Sequence, residues 1–96
     1  MAKGYLIGHV NVTEPGAFGE YAKSAGELLA TYGARPLVNP DSARIVEGSL
    51  KPRTVIFEFD DFDRLKAFWA SAEYQQAKAL GAGAADCDFM LIAGKD

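Results

Sequence analysis

The stretch from Gly4 to Val12, Gly-Tyr-Leu-Ile-Gly-His-Val-Asn-Val, constrains this chain more than any other. Read as a β-strand, it puts Tyr5, Ile7, His9 and Asn11 on one face and Leu6, Gly8, Val10 and Val12 on the other. The second face is small and apolar, as a surface that seats helices must be. The first is aromatic and aliphatic at one end and polar at the other. A strand at least half apolar on both faces reads as a central strand covered on both sides. It also holds the only histidine, His9, and a polar group in such a place needs a partner.

The segments that follow supply the cover. Thr13-Glu14-Pro15 starts a helix, with Thr13 as cap and Pro15 in the first turn. Phe18, Tyr21, Ala22, Ala25, Leu28, Leu29 and Tyr32 form its apolar stripe, and Gly33 ends it. Arg35 to Asn39 reads as a short strand, with Pro36 favouring the sheet edge. A turn at Pro40-Asp41-Ser42 leads to Ala43–Glu47, which continues as β, and Gly48–Pro52 is a loop. Arg53–Phe59 is the strongest strand: Val55, Phe57 and Phe59 alternate against Thr54, Ile56 and Glu58. Asp60 or Asp61 caps a second helix whose stripe is Phe62, Leu65, Phe68, Trp69 and Ala72. Ser71 caps a short third helix, Ala72 to Leu80, with Tyr74, Ala77 and Leu80 inward. Gly81 to Ala85 reads as a loose connector, and Asp88 to Ala93 as the last strand.

The order βαββαβ predicts an α+β, ferredoxin-like protomer with a four-stranded antiparallel sheet, the first and third strands central. Both crossovers place helices on one face of that sheet. The other face carries Tyr5, Ile7 and Ile56 and needs cover, which predicts a homodimer through the sheet faces. The 96 residues form one domain, 1–96, with a thin core. Six Phe, four Tyr and one Trp exceed what such a core hides, so the surplus lines a pocket or a subunit interface. A net charge of −3 without a basic cluster speaks against nucleic acid as a partner. No apolar run approaches ~18 residues, which speaks against a membrane span. A single cysteine, Cys87, and the absence of a leader pattern suggest a cytoplasmic protein.

Several segments together resemble domain-of-unknown-function family 1330, in the dimeric α/β-barrel superfamily. They are Lys3-Gly4-Tyr5, Val12-Thr13-Glu14-Pro15, Tyr32-Gly33-Ala34-Arg35, Val46-Glu47-Gly48, Val55-Ile56-Phe57-Glu58-Phe59 and Asp88-Phe89-Met90-Leu91. The most specific is Ala67-Phe68-Trp69-Ala70-Ser71-Ala72-Glu73-Tyr74-Gln75. The resemblance covers essentially the whole chain and implies a ferredoxin-like protomer whose dimer packs two sheets into a barrel. It implies no reaction, although the superfamily includes cofactor-independent monooxygenases, a lactone isomerase and haem enzymes. The chain departs from the family after the second strand, with Asn39-Pro40-Asp41-Ser42 where a glycine-rich turn is expected.

Candidate chemistry rests on few residues. His9 is a general acid/base by residue type, and Glu58, on the neighbouring central strand, is its candidate partner. The competing role for both is structural, within the sheet or at the dimer interface, and it comes first. Arg35 either forks onto a substrate carboxylate or pairs with Glu58 or Asp41. Tyr21, Tyr32, Trp69 and Tyr74 either line a cavity and stack on a flat ligand or are plain core. No metal-ligand spacing and no cofactor fingerprint is present. Cys87 is a poor nucleophile between Asp86 and Asp88. The functional expectation is a cofactor-independent enzyme or binder for a small aromatic or carboxylate compound, in a cavity between sheet and helices. The alternative is a non-catalytic ligand-sensing or structural dimer.

Overall fold

The computed structural model describes residues 2–95; Met1 and Asp96, the ends of the expected domain, lie outside them. Strand β1 (Gly4–Val12) pairs antiparallel with β3 (Arg53–Phe59) on one side and β4 (Ala85–Ala93) on the other. A two-residue β2 (Arg35–Pro36) sits at the edge, giving the order β2-β3-β1-β4. The predicted central pair is therefore the observed one. Helices α1 (Pro15–Thr31), α2 (Phe62–Ala70) and α3 (Ala72–Leu80) cover one face of the sheet.

The alternation of β1 decides which face that is. Leu6, Gly8 and Val10 are buried beneath the helices, whereas Tyr5, Ile7 and His9 look outward and are half-buried. Register puts Val55 and Phe89 beside Gly8, and Phe57 and Leu91 beside Leu6. The core joins Leu6 and Phe59 of the sheet to Ala25 and Leu29 of α1, Leu65 and Phe68 of α2 and Tyr74 of α3. Gly8 is a packing requirement: a Cβ there would lie 2.3 Å from the Phe89 ring. Gly33, at φ 75°, supplies the left-handed residue that ends α1.

The helix starts differ from one another. Asp61 accepts from Arg64 N at 2.8 Å, and Ser71 accepts from Tyr74 N at 3.1 Å, both as the sequence predicts. Thr13 does not cap α1, whose N-cap is Glu14 without a side-chain bond. The Thr13 hydroxyl donates to Gly83 O at 3.4 Å, and Thr13 N and Glu14 N both donate to Ala84 O at 2.9 Å. These bonds fasten the start of α1 to the turn before β4. The expected loose connector is therefore a tied turn with Ala84 buried. Ala22, Ala72 and Leu80 lie outside the apolar stripes assigned to them and are exposed, and Ala72 opens α3 instead of extending α2.

Two strand expectations need correction. The last strand starts at Ala85, because Ala85, Asp86 and Cys87 pair with Val12, Asn11 and Val10 of the long β1. The second strand stops at Pro36, and Ala43–Glu47 is exposed and irregular, with Val46 89% exposed. Proline removes a ladder donor at the edge, and the Pro40–Ser42 turn, capped by the Asn39 side chain, leads the chain off the sheet. Ile45 and Val46 supply strand-like composition without a strand to pair with.

Candidate functional site

Between the helices and β4 opens a cavity of about 670 Å³, within the range of small-molecule sites. Phe18 and Tyr21 reach it from α1, Trp69 from α2, Tyr74 and Lys78 from α3, and Phe89 from β4. The rings brace one another, with centroids 4.8 Å apart for Trp69–Tyr74 and 5.5 Å for Trp69–Phe89. Phe89 holds its place because Gly8 leaves room beneath it.

The polar chemistry of this cavity is confined. The Tyr21 and Tyr74 hydroxyls share a hydrogen bond of 2.9 Å. Burial pushes both phenols up from their usual range, so both stay protonated near neutrality. Cys87 projects from β4 toward the helices, and burial followed by the charge of Asp86 pushes its thiol up as well. Lys78 extends over Trp69, its Nζ 5.3 Å from the ring centroid. The cavity thus offers flat apolar walls, a bonded pair of hydroxyls with one proton to spare and a cation, with Asp86 also on its border.

His9 and Glu58 lie on the opposite side of the sheet. His9 stands opposite Thr54, and its Nδ1 is 3.1 Å from the threonine hydroxyl. It borders a recess of about 400 Å³ together with Asn11 and Lys51, and Lys51 pairs with Asp88. Glu58 stands opposite Tyr5, four residues further along the ladder, or ~13 Å. There it accepts from the Tyr5 hydroxyl at 2.9 Å and from Arg35 at 2.8 and 3.1 Å. Arg35 and then Tyr5 hold the Glu58 carboxyl below the usual carboxylate range. Arg35 also pairs with Asp60 at 3.0 Å.

The residues named from the sequence therefore divide into four places. Tyr21, Trp69 and Tyr74 meet at the cavity, while Tyr32 packs edge-on against Phe68 and does not line it. His9 faces outward at one end of the sheet, and Glu58 with Arg35 forms an ion pair at the other. The expected His9–Glu58 pair shares a face without contact, and a cavity flanked by both His9 and Trp69 does not form because the sheet stands between them. Sequence reasoning missed Phe18, Lys78 and Phe89. Lys78 was within reach of it, since it follows Tyr74 by one helical turn and shares its face. No cluster of three or more His, Cys, Asp or Glu side chains suited to a metal occurs among the described residues. No helix is long and apolar enough to cross a membrane.

Solved structures similar to this one share its fold. An RPA0582 protein of unknown function from Rhodopseudomonas palustris superposes with a TM-score of 0.73 at 13% identity, covering 99% of this chain and 84% of that one. SnoaB, a cofactor-independent oxygenase from Streptomyces nogalater, gives 0.65 at 11% identity, covering 100% and 96%. A dimeric ferredoxin-like protein of unknown function from Thermobifida fusca gives 0.63 at 14% identity, covering 96% and 91%. No curated protein matches the sequence. The model of a domain of unknown function, DUF1330, matches residues 3–95, nearly the whole length, and the chain belongs to that family.

Proposed function

We propose that this protein is a cytoplasmic homodimer whose protomers each bind a flat aromatic small molecule between helices and sheet, with Tyr21, Trp69 and Tyr74 in contact with it. The observation that carries the reading is the convergence of aromatic rings from α1, α2, α3 and β4 on one open volume of about 670 Å³. The rings pack against one another and still leave that volume open beside them. The lone Cys87 and the dimeric ferredoxin-like neighbour support the cellular and oligomeric parts of the reading. In it, His9, Glu58 and Arg35 serve the outer face of the sheet, where a second copy would lie.

Trp69 is the only tryptophan, so its emission reports on the cavity directly. Titration with a panel of naphthalene derivatives is expected to quench it saturably and raise the melting temperature. Ala79→Phe, which fills the void from α3, is expected to abolish both effects. A panel that produces neither would sink the reading.

The likeness to SnoaB along both chains favours one second reading, a cofactor-independent oxygenase. Its weakness is that Tyr21, Tyr74 and Cys87 are all held protonated, which leaves these three unable to take a proton from a substrate near neutrality. A bound ligand recovered unchanged, without oxygen uptake at an electrode, is the expected outcome. Stoichiometric uptake would bring the oxygenase forward.

A further inference from the structure

We infer that the ligand of this cavity is anionic as well as aromatic: a planar ring system carrying a negatively charged oxygen that accepts the Tyr21 hydroxyl proton and is balanced by Lys78. The inference rests on the binding reading above and narrows it to a chemical class.

The first observation is a proton count. Tyr21 and Tyr74 bring two O–H donors, and the 2.9 Å bond between their hydroxyls uses one. Tyr74 is 1% exposed, and a buried donor left unmet is costly, so Tyr74 donates and Tyr21 accepts. The Tyr21 proton then has no acceptor among the described residues, while its ring borders the cavity. A ligand oxygen is the group that completes it. Because Tyr74 already donates to the Tyr21 oxygen, the Tyr21 proton is polarised toward an acceptor, and an oxyanion is the strongest acceptor available.

The second observation is a charge without a counterion. Lys78, like Lys23, Arg44, Arg64 and Lys95, forms no ion pair with a carboxylate among the described residues, and it is the one of these that lines the cavity. Its ammonium instead lies on the Trp69 ring at the cavity wall. Asp86 also borders the cavity, but its ladder position, opposite Asn11, belongs to the outer face of the sheet. The helix-facing Cys87 stays a neutral thiol. A cation beside aromatic walls, with a hydroxyl donor on the same cavity, matches an aromatic carboxylate or phenolate.

Three probes separate the outcomes, each read by Trp69 quenching: 2-naphthoate, neutral 2-acetylnaphthalene and 2-naphthol. The naphthoate is expected to bind about tenfold more tightly than the ketone, as a charge-assisted contact implies. Lys78→Gln, at an exposed side chain of α3, is expected to remove most of that difference while far-UV dichroism stays unchanged. Tyr21→Phe is expected to weaken both, the naphthoate more than the ketone, since both present an oxygen acceptor and the oxyanion is the stronger one. The absorption spectrum of bound 2-naphthol then identifies the oxygen: the anion spectrum at neutral pH names phenolates, the neutral spectrum names carboxylates. Equal affinity for naphthoate and ketone, or a preference undiminished in Lys78→Gln, would overturn the inference while leaving an aromatic-binding cavity intact. Absence of saturable quenching by all three probes would overturn both.

Discussion

Glu58 illustrates how a charged residue is kept in an apolar sheet. Its carboxylate receives the Arg35 guanidinium through Nε and Nη2 and the Tyr5 hydroxyl, with Lys3 at 4.0 Å. Those donors favour the charged form and hold its pKa below the ordinary 4.5. A group depressed in the folded state contributes stability that is present above the unfolded pKa and lost as pH falls through the folded one. Urea midpoints of Glu58→Gln are therefore expected to fall below the native protein's at pH 7 and to converge with them below the depressed pKa. Parallel curves at all pH values would deny Glu58 that role. Gly8 makes the complementary point about space. Because its missing Cβ is filled by Phe89, Gly8→Ala is expected to destabilise by about 1–3 kcal/mol in chemical denaturation. The same change should weaken ligand quenching, because Phe89 is the floor on which Trp69 rests.

At the level of elements, Ser71 joins two helices and sets the cavity wall. Its hydroxyl donates to Phe68 O at 2.7 Å and accepts from Tyr74 N at 3.1 Å, ending α2 and starting α3 in one residue. Ser71→Ala is expected to cost about 1 kcal/mol of stability in urea. It should also loosen Tyr74, the donor of the hydroxyl pair, so ligand affinity should fall with it. This junction was legible in the sequence, as were β1, β3 and most of the helix stripes, because periodicity and the Ser71 cap are local. Features that depend on distant partners were not. Ile45 and Val46 have strand composition, but a strand exists only where a neighbour offers its edge. Asp86 and Cys87 fall between the expected connector and the expected last strand, yet β1 is long enough to pair with them. His9 and Glu58 correctly read as sharing a face. Their separation was hidden because register, not alternation, determines it. The hydroxyl bond between Tyr21 and Tyr74 joins residues 53 positions apart, and only the need of each phenol for a partner was visible in advance.

The shape of the whole molecule bears on assembly. The protomer is a slab measuring 37 × 34 × 17 Å, one helix layer on one sheet. Its surface, 6008 Å², exceeds the ~5,400 Å² typical of a compact chain of its mass. The outer face of the sheet carries Met90 at 49% and Ile92 at 47% exposure beside half-buried Ile7 and Ile56. Leu37, Val46 and Leu50 add apolar surface on the exposed loop between β2 and β3. A face of these dimensions exceeds the ~800 Å² per partner that a stable interface uses. A second sheet packed there would cover Met90 and Ile92, with the Arg35–Glu58 and Lys51–Asp88 pairs toward its ends. Light scattering of the proposed dimer is expected to give twice 10.3 kDa at micromolar concentration. The double variant Met90→Lys, Ile92→Lys is expected to give the single mass, since two buried ammonium groups per chain would face their symmetry mates. Both positions point away from the helices, so the cavity should survive the change. The monomeric variant is expected to keep its Trp69 quenching by naphthoate within about twofold, well inside a tenfold effect. A native protein that is already monomeric would remove the dimer from the proposed function. A variant that turns monomeric and loses the ligand would show instead that the second copy holds the cavity open from across the sheet.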